Sequence, residues 1–169
     1  MSEWIDLYDR NKKKLNRMVD RNTYLFQPGE FMMYVLAILE NREGKILITR
    51  RSLHKKWAAG DWEVPGGGAK SNESSYEAIQ REVEEETGLH VKNGKVIDSY
   101  FNEDIHRLDN YFVDIYHFKF DFSLEDITLN SNESIDCKCV SIEELILMNE
   151  EQPFLHFERI MKALQKEKR

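Results

Sequence analysis

Short continuous apolar runs and stretches with helical spacing succeed each other along the chain, a pattern typical of a mixed α/β protein. The run FMMYVLAILE at 31–40 predicts a strand buried on both faces. After the turn NREG, the run KILITRR at 45–51 predicts a second strand that pairs with the first as a hairpin. Further strand-like runs lie at 96–101, 111–120 and 135–140.

Capping residues and helical periodicity predict three helices. The first begins near Ser71 or Asn72, both good N-caps, and ends at Gly88, a residue suited to helix C-termini. Ser141 opens a capping box for a short helix over SIEELILMN, and a last helix spans 153–166. We therefore expect an α/β (α+β) fold, a mixed β-sheet sandwiched between helices.

The length of 169 residues suits one domain with a substantial core, so we expect 1–169 to form a single domain. Residues 1–30 carry a basic cluster and a Gln-Pro-Gly turn, which indicates a short N-terminal arm or hairpin. This arm and the terminal helix could support a homodimer.

Charge and cysteine content narrow the classes of partner. The net charge of −7, from 31 acidic and 24 basic residues, argues against a nucleic acid polymer. The negative charge does not exclude small phosphorylated substrates, because a bound divalent cation can supply positive charge locally. The polar N-terminus is no signal peptide and no apolar run could span a membrane, so we expect a cytoplasmic protein without a membrane partner. Cys137 and Cys139 are expected to be buried, inert thiols.

Four glutamates crowd into the end of the first predicted helix, at positions 82, 84, 85 and 86. At about 100° per residue, Glu82, Glu85 and Glu86 share one third of the helix circumference, while Glu84 points nearly opposite. Carboxylates this close repel each other, and their oxygens are ligands that Mg²⁺ prefers. The cluster predicts a metal site, although a solvated glutamate-rich face is the alternative for this run alone.

The surrounding segment GGAKSNESSYEAIQREVEEETGL, residues 67–89, fits the pattern G-x5-E-x7-R-E-U-x-E-E-x-G-U, where U is a bulky apolar residue. It resembles the signature of the Nudix hydrolase family. The resemblance implies a single domain of the Nudix type that cleaves the diphosphate bond of a nucleoside diphosphate linked to another moiety. It also implies Mg²⁺ or Mn²⁺ as cofactor and a small diphosphate-containing substrate.

The resemblance assigns roles by position within the signature. Glu82 and Glu86 would be the principal metal ligands, Glu85 a ligand or orienting base, and the Gly67 carbonyl would complete the shell. Because they carry no Cβ, Gly66, Gly67 and Gly68 let the backbone approach the metal or a phosphate closely.

Arg81 lies within reach of Glu77 and Glu85, four residues away on either side, and would hold a carboxylate in a fixed orientation. Glu73 is expected in the first helical turn. Outside the signature, Glu133 occupies a loop position where relatives often carry a general base, so the base is Glu85 or Glu133. Arg51 lies where relatives often bind the substrate diphosphate.

Two other functions remain as alternatives. Residues 5–90 resemble the branch that includes isopentenyl-diphosphate isomerases, but GDWEVPGGG lacks the cysteine that such enzymes use. A non-catalytic nucleotide-binding module is the second alternative, although such modules tend to lose metal ligands that this chain retains. The sequence leaves open which diphosphate is cleaved and how many metal ions take part.

Overall fold

The computed structural model describes residues 1–169 and contains nine strands and three α-helices. The strands are β1 Trp4–Tyr8, β2 Lys14–Asp20, β3 Met32–Glu40, β4 Ile46–Arg51, β5 Trp62–Glu63, β6 Gly66–Gly68, β7 Lys95–Asn102, β8 Tyr111–Lys119 and β9 Ser134–Val140. The helices are α1 Ser75–Thr87, α2 Ile142–Glu151 and α3 Phe157–Glu167.

The long apolar strand β3 lies at the centre of the sheet. It pairs in parallel with β8 along its whole length and antiparallel with β6, and β7 extends the sheet beyond β8. The predicted hairpin of β3 and β4 is confirmed, since the two strands pair antiparallel, but their pairing covers only Glu40 and Ile46. The two strands diverge there since β4 pairs instead with β9 and β5.

Helices cover both faces of the central strands. Val35, Ala37 and Leu39 of β3 pack with Ile79 and Val83 of α1 in one core. The core on the opposite face, toward α2 and α3, includes Leu36, Ile38, Ile115, Leu145, Ile160 and Leu164. Because alternate residues of β3 enter opposite cores, its run is apolar throughout. The predicted mixed sheet between helices is confirmed.

Helix α1 begins later than predicted. Ser74 is its N-cap, while Asn72 has a positive φ of 66° and is held in a loop by Asp6, whose carboxylate accepts the Asn72 N–H at 2.9 Å. The predicted end is confirmed, since Gly88 caps the helix with a φ of 75°. A contact from a distant strand therefore decides where α1 starts.

Of the two C-terminal helices, α2 begins where the sequence predicts and α3 does not. The capping box of Ser141 and Glu144 is present at the start of α2. Helix α3 begins at Phe157 rather than at 153, because His156 adopts a φ of 61° that no α-helix accommodates.

His117 of β8 anchors α3 to the sheet. Its Nε2 lies 2.6 Å from Glu40 of β3 and its Nδ1 lies 2.5 Å from Glu167 of α3. Lys166 also pairs with the buried Asp98 of β7 at 2.5 Å. The hydrogen bonds of His117 and the ion pair of Lys166 thus hold the last helix against the sheet.

The first 20 residues form an antiparallel hairpin of β1 and β2. Its apolar side, with Ile5, Leu7 and Val19, packs against Met32 of β3. At the hairpin tip, the Lys12 ammonium pairs with the buried Asp114 of β8 at 2.5 Å. The hairpin is therefore attached to the central strands by both apolar and ionic contacts.

Both cysteines lie in β9, half-buried and free, against the α1 side of the sheet. Burial raises the pKa of each thiol, which disfavours the reactive thiolate. No helix has the length and apolar character that crossing a bilayer would require.

Candidate active site

A polar cleft of about 790 Å³ opens beside the loop between β6 and α1. Its walls carry the carboxylates Glu63, Glu82, Glu85, Glu86 and Glu133 and the cationic side chains Arg51, Lys55, Lys70 and Arg81. The backbone of β6 also faces it. The structure therefore brings together every site residue that the sequence singled out: Arg51, Gly67, Gly68, Arg81, Glu82, Glu85, Glu86 and Glu133.

The end of α1 directs its glutamates as the helical periodicity predicts. Glu82 and Glu86 are largely buried in the cleft wall, and Glu85 is half exposed at the rim. Glu84 is exposed and does not line the cleft. One oxygen of Glu86, Oε2, is buried without any hydrogen-bond partner. Such an oxygen is costly to bury unless a donor or cation satisfies it.

The protonation of these carboxyl groups is perturbed. Burial raises the pKa of Glu82 to about 7, with Arg81 opposing the shift and Glu85 and Glu133 adding to it. Burial also raises the pKa of Glu86 well above its ordinary value, and the nearby charges of Glu82 and Glu63 raise it further. The crowded negative charge favours either protons or a bound cation.

Arg81 connects the helix to the loop before it. Its Nε and Nη2 donate to the two oxygens of Glu73 at 2.5 and 2.9 Å, and its Nη1 donates to Glu82 at 2.8 Å. Its Nη1 also reaches Glu85 at 3.2 Å, and its Nη2 donates to the Gly68 carbonyl at 3.0 Å. One guanidinium thus fixes two of the candidate metal ligands and the glycine loop.

The partners of Arg81 differ in part from those expected. The contact with Glu85 is present, but Arg81 turns back toward the loop and binds Glu73 where Glu77 was expected. Glu73 precedes α1, so the prediction that it lies in the first helical turn is wrong. Burial raises the pKa of Glu73, but the bond from Arg81, the backbone N–H of Lys70 and the positive charges of both residues together outweigh it and lower that pKa.

Gly67 lies against the Glu82 carboxylate. A Cβ built at position 67 would be only 2.5 Å from the Glu82 Cδ, closer than side-chain atoms tolerate. The missing side chain therefore lets the backbone of β6 approach the carboxylate.

Two cation–carboxylate pairs line the cleft together with the glutamates of α1. The Arg51 Nη1 donates to both oxygens of Glu63 at 3.1 and 3.2 Å, and Lys55 pairs with Glu133. The Glu133 carbonyl accepts the Ser52 N–H at 2.9 Å, which fixes its loop to the end of β4. Sequence reasoning missed Glu63 and Lys55. The signal for Glu63 was a carboxylate three residues before the glycine run.

The donor set fits a hard divalent cation. No group of three or more His, Cys, Asp or Glu side chains is already arranged around one point, because Arg81 and Lys55 engage several of the carboxylates. The unpaired Glu86 oxygen, the oxygen-only donors and the side-chain-free backbone at Gly67 nevertheless suit Mg²⁺ or Mn²⁺.

The chain is similar to known proteins in both sequence and fold. A family model described as NUDIX domain matches residues 30–160. An uncharacterized Nudix hydrolase of Listeria monocytogenes is 27% identical over 158 residues, 93% of this chain and 90% of that protein. The CTP pyrophosphohydrolase of Escherichia coli is 36% identical over 72 residues, 43% of this chain and 53% of that protein.

A solved structure shares the fold as well. The crystal structure of a MutT protein from Methanosarcina mazei superimposes with a TM-score of 0.70 at 26% identity, covering 86% of this chain and all of that one. Since the family match over 30–160 includes the whole glutamate-bearing segment, this chain belongs to the Nudix hydrolase family.

Proposed function

We propose that the protein is a metal-dependent pyrophosphohydrolase. Its substrate is a nucleoside diphosphate linked to another moiety, or a related small organic diphosphate, and water attacks a phosphorus of the diphosphate. The observation that carries the proposal is the buried, unpaired Glu86 oxygen beside Glu82, in a cleft that also presents cationic side chains. The named relative from Escherichia coli supports a nucleotide as substrate.

Glu82, Glu85, Glu86 and the Gly67 carbonyl would hold Mg²⁺ or Mn²⁺. Such an ion, when bound, acidifies a water and offsets charge on phosphate oxygens. Arg81 keeps Glu82 and Glu85 oriented through its bonds to both. Ligands that are already fixed lose little freedom when the ion binds.

Arg51 and Lys55 line the same cleft, where they can neutralise the substrate diphosphate. A substrate phosphate competes with Glu133 for the Lys55 ammonium. The released Glu133 carboxylate can then accept the proton of the attacking water, with Glu85 as the second candidate for this role. Cys137 and Cys139 do not line the cleft, which disfavours isomerase chemistry there.

The test is hydrolysis by chelator-treated protein with and without added Mg²⁺ or Mn²⁺. The substrates are a panel of nucleotide sugars, dinucleotides and alcohol diphosphates, and release of phosphate or nucleotide is measured. Glu86→Gln should lower turnover by at least 100-fold, because removing one ligand misplaces the metal and its water. Glu84→Gln, on the exposed side of the same helix, is the matched control. Losses below tenfold in both Glu82→Gln and Glu86→Gln would contradict these ligand assignments, and conversion of isopentenyl diphosphate to its isomer would replace the proposal.

A further inference from the structure

The cleft continues past the carboxylates to an aromatic end. Tyr34 of β3, Tyr100 of β7 and Tyr111 of β8 line this end. The rings of Tyr34 and Tyr111 meet edge to face, with centroids 5.3 Å apart and planes at 89°. The Arg159 guanidinium lies 4.2 Å from the Tyr100 ring centroid. Three half-buried rings thus give the cleft a flat-sided end that could stack a planar group.

Arg21, the residue directly after β2, brings a positive charge to this end. Its Nη2 donates to the Tyr34 hydroxyl at 2.7 Å, and its guanidinium carbon lies 5.3 Å from the Tyr34 ring centroid. Its Nη1 donates to Glu3 at 3.3 Å, and its backbone N–H donates to the Glu3 carbonyl at 2.9 Å. A Cβ at Gly68 would lie 3.2 Å from the Arg21 Nη1. The N-terminal hairpin, outside the 30–160 family match, therefore places a cation beside the glycine loop.

We propose that Arg21 and the three tyrosines form a subsite for the nucleobase of the substrate, which makes Arg21 a specificity-determining residue. The inference rests on the proposed diphosphate hydrolysis and identifies the group linked to the diphosphate. The Arg21 guanidinium makes two side-chain hydrogen bonds, so further N–H donors remain free on a side chain that is one-third exposed. Carbonyl and ring-nitrogen acceptors on the edge of a base match such donors.

The charges around Arg21 favour a base over other ligands. Glu3 and Asp109 also line this end of the cleft, where they can accept from an exocyclic amino group. The same carboxylates would repel a further phosphate. An isoprenoid tail would bury these charged groups without partners, which is costly. A planar group with both donors and acceptors on its edge satisfies all of them.

The test compares substrates with and without a base. The probes are the 5′-diphosphates of the four common nucleosides and ribose 5-diphosphate, assayed for phosphate release with Mg²⁺ and full-length protein. The wild-type protein should prefer at least one nucleoside diphosphate over ribose 5-diphosphate, mainly through a lower KM. Arg21→Gln should reduce that preference roughly ten- to a hundredfold, the effect of losing a hydrogen bond to a charged donor.

Arg17→Gln is the matched control. Arg17 makes the same kinds of contact, with Glu30 at 3.0 Å and with the Tyr24 hydroxyl at 2.9 Å, but it does not line the cleft. Its replacement should leave the preference intact. Tyr111→Leu, which removes a stacking ring, should reduce the preference as Arg21→Gln does and provides a second variant should the first fail to fold.

Three outcomes would overturn the subsite. The first is a folded Arg21→Gln variant with the wild-type preference. The second is a variant that loses as much activity toward ribose 5-diphosphate as toward the nucleoside diphosphates, which would place Arg21 on the phosphates. The third is an Arg17→Gln variant that loses as much of the preference as Arg21→Gln does. If the wild-type protein releases no phosphate from any probe, calorimetric titration with the same compounds separates the two proposals. Tighter binding of the nucleoside diphosphates than of ribose 5-diphosphate would support the subsite and contradict hydrolysis of these compounds. Equal affinity for all five compounds would contradict the subsite.

Discussion

Replacing Glu82 with glutamine should stabilise the metal-free protein while it removes activity. In the folded chain, burial raises the pKa of Glu82 from 4.5 to about 7. The carboxyl group therefore binds its proton more tightly in the folded than in the unfolded state. Proton binding by Glu82 favours folding, and this contribution is complete below pH 4.5 and is lost as the pH rises to about 7. Above that pH the carboxyl group is ionised in the folded protein and opposes folding.

The size of the effect follows from the same shift. A rise from 4.5 to about 7 corresponds to roughly 3 kcal/mol at pH 8. The Glu82 side chain is only 14% exposed, so solvent screening reduces this little. Glutamine carries no charge to desolvate, and the pKa of about 7 already includes the opposing effect of Arg81 on the Glu82 carboxylate. The pH dependence of the stability difference between variant and wild type therefore reports the net cost of ionising Glu82 in the folded protein.

Urea unfolding of both proteins at pH 5 and pH 8, with chelator present, measures this cost. We expect Glu82→Gln to gain about 2–3 kcal/mol relative to wild type between the two pH values. Added Mg²⁺ should stabilise the wild-type protein more than the variant. Glu84→Gln, whose side chain is exposed, should show no such gain. A stability difference between Glu82→Gln and wild type that is the same at both pH values would refute the reasoning.

Three further predictions concern single residues. Gly67→Ala should lower kcat about 100-fold with the fold retained, because the added methyl group displaces the Glu82 carboxylate; circular dichroism and turnover together check this. Glu133→Gln should lower turnover at least 100-fold if this carboxylate accepts the proton, and unchanged turnover would remove it from the mechanism. His117→Phe should cost about 1–3 kcal/mol in urea unfolding, since it leaves two facing carboxylates without their bridge, while kcat stays within twofold.

Local patterns in the chain were enough to predict five of the nine strands and the glutamate-bearing helix. The apolar run of β3 fixed its burial, and Gly88 fixed the end of α1, since both signals act within a few residues. The signature likewise placed Glu82 and Glu86 on one face. These features depend on local sequence, which is why they could be predicted.

The features of the fold and site that the sequence did not predict depend on contacts between residues far apart in the chain. The start of α1 is set by Asp6, and the choice of Glu73 over Glu77 by Arg81 follows from that later start. The pairing of β4 with β9 rather than along β3 reflects competition among strands, which no single run encodes. Arg21 enters the cleft only because its hairpin folds over β3, so a sequence pattern could not assign it there.

The parallel pairing of β3 with β8 has a consequence for biosynthesis. Met32 of β3 pairs with Tyr111 of β8, so nearly 80 further residues must be synthesised before β3 can pair along this edge. Until then its backbone and apolar side chains are open to other chains. We expect a nascent or truncated polypeptide ending before Tyr111 to aggregate readily, and chaperone binding during translation to concentrate on this strand.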